Sequence, residues 1–125
     1  MIRNVLIQAV PQETQAYDTQ GDWRDKGDAL VISVTGTDLS DDQTFLIALH
    51  ELVEAHLCRK RGITAEAVDA FDKAWIAAHP GYLDGTEGEP GDDPAAPYRR
   101  EHRQAMLVEH LVADMLGIAG YGRVE

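Results

Sequence analysis

The sequence has a single cysteine, Cys58, so no disulfide can form within the chain and thiol content gives no sign of an oxidising compartment. Cations are scarce: 11 Lys and Arg stand against 22 Asp and Glu, for a formal charge of −11. That balance argues against a nucleic-acid backbone as the main partner, because phosphate binding needs a basic face. Arg99, Arg100 and Arg103 form one small basic group and Arg59, Lys60 and Arg61 another, and neither outweighs the acidic whole. No apolar run reaches the roughly eighteen residues of a membrane span. The opening M-I-R-N-V-L-I-Q-A-V turns polar at once and lacks the long apolar centre and cleavage site of a signal peptide. A cytoplasmic protein is therefore expected. What is present is enough for one small domain, 1–125, with 44% hydrophobic residues to build a modest core.

Residues 2–10 are rich in branched apolar side chains and read as a strand that Pro11 ends. Residues 29–35, A-L-V-I-S-V-T, read as a second strand, with a short one expected around Ala16–Thr19. The polar stretch 12–28, with G21-D22-W23 and K26-G27-D28, reads as turns. S40-D41-D42-Q43 has the form of a capping box, which predicts a long helix over 41–61 with Gly62 after it. Thr64 caps a second helix over 65–78, whose core stripe is Val68, Phe71, Trp75 and Ala78. Residues 80–97 are rich in Gly, Pro and acid and read as a long loop, either a functional lid or filler. A third helix is expected over 98–116, with Pro97 in its first turn and Gly117 at its end. The tail 118–125 reads as an irregular cover. The fold class is α+β: a small N-terminal antiparallel sheet followed by three helices.

The first helix carries the chemistry. A48-L49-H50-E51-L52-V53-E54-A55-H56-L57-C58 has apolar residues on every side, so much of it should be buried. Buried carboxylates are costly unless paired or bound to a metal ion. His50 and Glu54 are spaced i, i+4, which puts them on one face, with Glu51 beside them. On the last helix His102, Ala105, Glu109, Val112 and Leu116 share a face, so Glu109 sits in an apolar stripe two turns from His102. The expected constellation is His50, Glu54 and Glu109 or His102 around one divalent ion. His56 reads as a core or boundary residue and Cys58 as a small hydrophobe. His79 reads as a helix-end cation, and Asp92 and Asp93 as a solvated turn or helix cap.

H50-E51-L52-V53-E54 resembles the H-E-x-x-H helix of the zinc metallopeptidases known as zincins, with Glu54 where the family has its second histidine. The resemblance covers about residues 29–62. It implies a zincin-like domain, zinc on His50, Glu51 as general base and a peptide-like substrate. A carboxylate at Glu54 makes a mixed nitrogen–oxygen site, for which manganese, iron or magnesium are alternatives to zinc. Y17-D18-T19-Q20-G21-D22-W23, H50–A55 and G88–P94 with E101-H102 also resemble stretches of small proteins associated with tailed bacteriophages. E51-L52-V53-E54 followed by E66-A67-V68-D69 resembles the all-α nucleoside triphosphate pyrophosphohydrolases of the MazG kind. That resemblance implies magnesium on Glu51, Glu54, Glu66 and Asp69. A third reading is a non-enzymatic acidic inhibitor that uses the 84–93 loop against a basic partner.

Overall fold

In the computed structural model, which describes residues 1–36, 38–84 and 86–121, a three-stranded sheet precedes three helices. The strands are β1 (Asn4–Val10), β2 (Gly21–Lys26) and β3 (Ala29–Thr35), in the order β1-β3-β2. The helices are α1 (Asp41–Lys60), α2 (Ala65–Ala78) and α3 (Arg99–Met115). The α+β class is as read from the sequence, but the sheet is mixed and not antiparallel. β1 runs parallel to β3, and only β2 is antiparallel to it. The short strand expected around Ala16–Thr19 is absent: residues 16–18 are bends, and the strand lies further on at β2.

The sheet is mixed because of one hairpin. Lys26 pairs with Ala29 across Gly27 and Asp28, and Gly27 has φ 60, which a tight turn between antiparallel strands requires. β2 therefore occupies one side of β3 and leaves β1 the other. Residues 11–20 carry the chain over the end of β3 and are tied to Thr35. Its N–H donates to the Gln20 carbonyl at 2.7 Å, and its hydroxyl donates to the Thr19 carbonyl at 2.9 Å.

One face of the sheet packs on the helices. Leu30, Ile32 and Val34 of β3 and Trp23 of β2 are buried against Ile47, Ala48 and Ala55 of α1. Each of the larger aliphatic side chains contributes about 1.5–3 kcal/mol by leaving water. β1 contributes little to this core: Val5, Leu6 and Ile7 remain about half exposed.

α1 begins at the expected capping box. The Gln43 N–H donates to the Ser40 hydroxyl at 3.1 Å, and the Ser40 N–H donates to Gln43 Oε1 at 2.8 Å. Gly62, with φ 74, ends it. Thr64 caps α2 by accepting from the Ala67 N–H at 3.1 Å. Tyr98, and not Pro97, is the residue at the start of α3, and Pro97 lies outside the helix.

α1 and α3 lie side by side, and both carry small, essentially inaccessible residues, Ala55 and Cys58 on α1 and Ala105 and Ala113 on α3. Arg61 fixes one end of the pair. Its guanidinium donates to both Glu101 oxygens at 2.5 and 2.7 Å and to the Pro97 carbonyl at 3.2 Å. The two-pronged geometry sets rotation as well as distance. Among the described residues, no helix is long and apolar enough to cross a membrane.

Ser40→Ala removes half of the capping box and should lower stability by about 1 kcal/mol. Thermal denaturation should show the loss, while the helical signal in circular dichroism below the transition should be unchanged.

Candidate metal centre

α1 and α3 bring their buried polar residues together in the interior. Glu54 Oε2 lies 3.1 Å from His50 Nε2, one turn earlier on α1, and 3.1 Å from His102 Nδ1 on α3. The other nitrogen of His50, Nδ1, is 2.8 Å from Glu109 Oε1. The Tyr121 hydroxyl donates to the second oxygen of Glu109. The two imidazoles meet edge to face, with ring centroids 4.8 Å apart. His50, Glu54, His102 and Glu109 are each at most 5% exposed. One ligand atom from each of His50, Glu54 and His102 lies within 4.8 Å of the others, so these three residues can hold a metal ion.

Glu109 is placed differently from the other three. It addresses the far side of the His50 ring, where it fixes the ring's orientation and leaves Nε2 directed at Glu54. Glu51 Oε2 is 3.9 Å from His50 Nε2 and lines the cleft that opens onto the cluster.

Burial alone would depress both histidines, since it disfavours the charged ring. For His50 the hydrogen bonds to Glu109 and Glu54 overcome burial and raise the ring to about 9. For His102 the nearby carboxylate of Asp92 and the hydrogen bond to Glu54 overcome burial and raise the ring to about 10. Glu54 is pulled the other way. Burial would raise it, but hydrogen bonds from His102 and His50 hold it well below the usual carboxylate range. With both rings protonated, two N–H groups converge on one buried carboxylate oxygen. A metal ion would compete with those protons for the same lone pairs.

The cleft has a volume of about 710 Å³ and is lined by residues before and within β2, by all three helices, and by Tyr82, Thr86 and residues 88–91. Residues 17–23 form one wall, α1 the floor through Ile47, His50, Glu51 and Glu54, and α2 another wall through Val68 and Asp72. The segment 88–91 closes the rim beside His102. Two glycines allow the close fit. A Cβ at Gly21 would lie 2.7 Å from Glu51 Cγ, and one at Gly91 would lie 2.5 Å from His102 Cγ. Gly91 belongs to a short 3₁₀ turn, Pro90–Asp92, which therefore sits directly on the His102 ring.

The remaining sequence-derived residues fall as follows. Glu66 of α2 is exposed and is not among the cleft-lining residues, and Asp69 is half-buried beside Asp22. The four carboxylates of the pyrophosphohydrolase resemblance are thus not gathered at one point, and the sheet departs from an all-helical frame. Cys58 is buried in the hydrophobic core, where burial pushes its thiol well up, and it is outside the cluster. His56 is exposed, against expectation. His79 stacks on Trp75 at 4.0 Å and bonds to the Trp75 carbonyl. Asp93, expected in a solvated turn, accepts from Trp75 Nε1 at 3.1 Å, while Asp92 faces His102. Ala78, assigned to the α2 core stripe, is exposed. Within the 80–97 and 118–125 segments, residues 85 and 122–125 lie outside the described residues.

Asp72 was not singled out by the sequence. It is buried on the cleft face of α2 and accepts hydrogen bonds from the Tyr17 hydroxyl at 2.6 Å and from the Tyr98 hydroxyl. Its spacing, four residues after Val68 and three before Trp75, puts it on the buried face of α2 and is the sequence signal for it. Compared with known proteins, the chain matches no family model, no curated protein and no solved structure at a significant level.

Burial raises Asp72 from 3.8 to about 6, against the opposing hydrogen bonds from Tyr17 and Tyr98. The folded chain therefore holds this proton more tightly than the unfolded chain. The benefit is complete below the unfolded value and is lost as pH rises through about 6. Denaturant titrations between pH 4 and 7 should show the native chain losing on the order of 3 kcal/mol relative to Asp72→Asn. A difference that stays constant with pH would mean that folding leaves this carboxyl unperturbed.

Proposed function

We propose that the protein is a metal-dependent hydrolase acting on a peptide-like amide, with one divalent ion, zinc first, held by His50 Nε2, Glu54 and His102 Nδ1. The observation that carries this reading is the convergence of those three buried donors at the floor of an open cleft, with Glu51 beside them. Two nitrogens and one carboxylate oxygen form a donor set that zinc accepts, and three protein ligands leave a position for water. The ion would supply Lewis acidity and lower the pKa of water at that position toward neutrality. Manganese, iron and magnesium are the alternatives that a mixed nitrogen–oxygen site admits.

The chain's own residues divide the remaining work. Glu109 holds the His50 ring with its Nε2 toward the cluster, as carboxylates behind metal-bound imidazoles commonly do. It is assigned here as that support and not as a ligand. Glu51, on the cleft side, is placed to take a proton from water and return it to a leaving amine. Sheet and loop walls exclude bulk water from the floor, where Glu54 and the two imidazoles are almost inaccessible. The cleft is large enough for a few residues of an extended peptide or a comparably sized small molecule.

His50→Ala and Glu54→Ala should each reduce bound zinc, measured by elemental analysis after gel filtration, by at least about tenfold. Circular dichroism should report a retained fold. Glu51→Gln should keep the ion and lower hydrolysis of a peptide library by roughly 10²–10⁴-fold. If both ligand variants keep the full metal content, the assignment is wrong. A native protein that binds no ion at all would make the His–Glu cluster a structural one.

A further inference from the structure

His102 has a second nitrogen that the proposed centre does not use. Nε2 points away from Glu54 toward the rim of the cleft. It is fully buried within a residue only 5% exposed, and no atom meets hydrogen-bond geometry with it. Asp92 Oδ1 lies 3.4 Å from it and Glu89 Oε2 lies 3.9 Å from it. One atom from each of Glu89, Asp92 and His102 lies within 4.8 Å of the others. Four ligands placed tetrahedrally 2.0–2.2 Å from a zinc ion are separated by roughly 3.3–3.6 Å. The observed spacings are therefore close to those of donors arranged around a cation, and wider than a hydrogen bond of 2.7–3.2 Å.

We infer that His102, Asp92 and Glu89 form a second divalent-cation site at the cleft rim, sharing the His102 imidazole with the first. This inference rests on the proposed function for the first ion only. When both are filled, the second ion replaces the proton on Nε2, which leaves to solvent, and the imidazolate bridges the two ions through Nδ1 and Nε2. Charge favours the pair. Glu51, Glu54, Glu89, Asp92 and Glu109 surround the two rings, one divalent ion balances two of these carboxylates, and the whole chain carries −11.

The geometry also says how the second site is held. Pro90–Asp92 is seated on the His102 ring through Gly91, and α2 anchors the same segment where Trp75 Nε1 donates to Asp93 at 3.1 Å. Asp92 and Glu89 are 40% and 29% exposed at their side chains, so this site faces solvent more than the inner one does. It should be the weaker of the two and fill second.

Equilibrium dialysis with zinc alone tests the inference on the native protein, Glu89→Gln, Asp92→Asn and the double variant. The expected result is two ions per native chain and one per double variant, with each single change weakening the second ion about tenfold or more. Both altered side chains are partly exposed, so the variants should fold, and the retained first ion reports that they have. The native protein loaded with two copper(II) ions gives an independent reading, since a shared imidazolate couples the spins and suppresses the paramagnetic resonance signal. One ion per native chain, lost in Glu54→Ala, would overturn the second site and leave the proposed function standing. Two ions retained by the double variant would also overturn it. No ion in any form would overturn both.

Discussion

Everything at the candidate centre depends on one carboxylate. Glu54 is buried between two helices and is approached by an imidazole from each, at the same distance of 3.1 Å. An isolated carboxylate there would cost several kcal/mol in lost hydration, so the arrangement survives only because cationic or donor groups meet it. That condition fixes the docking of α3 on α1 more tightly than apolar contact could. Arg61 with Glu101 clamps one end of the helix pair.

Much of this was legible in the sequence, and the reason differs from element to element. The three helices were readable because each carries its own boundary signals: Ser40 with Gln43, Thr64, and glycines at 62 and 117 that adopt positive φ. Such signals act within one turn and need no tertiary information. β2 was not readable, because G-D-W-R-D-K is mostly charged and only Asp22 and Trp23 are buried in it. Its strand character comes from pairing with β3. The parallel placement of β1 was hidden for the same reason, since strand order is a property of the assembled sheet.

The site shows the same division. His50, Glu51 and Glu54 were marked by polar residues in an otherwise apolar helix, and His102 and Glu109 by their shared face. What spacing cannot supply is which atom of each meets which. Spacing alone leaves Glu109 and His102 equivalent on the α3 face. Packing puts His102 against Glu54 and sends Glu109 to the back of the His50 ring. Asp72 escaped notice, and Asp92 reads in the sequence only as a turn or cap residue, because their partners, Tyr17, Tyr98 and His102, lie on other segments of the chain. The 80–97 segment read as loop or lid; it contributes Gly91 and Asp92 directly to the environment of a candidate ligand.

The balance of charge lets the same cluster stand with protons or with an ion. Replacing a buried ion pair by well-packed apolar residues is often neutral or stabilising, so stability alone is a weak reason to gather these groups. In the metal-free chain two imidazolium rings supply two positive charges around Glu54. A divalent ion bound to His50 Nε2 and His102 Nδ1 would displace two protons and restore the same charge. The exchange leaves the buried electrostatics nearly balanced, and helix packing need not change with occupancy. The carboxylate behind His50 stabilises either state. A centre built this way stays folded without its ion, so loss of metal would appear in chemistry before it appears in stability.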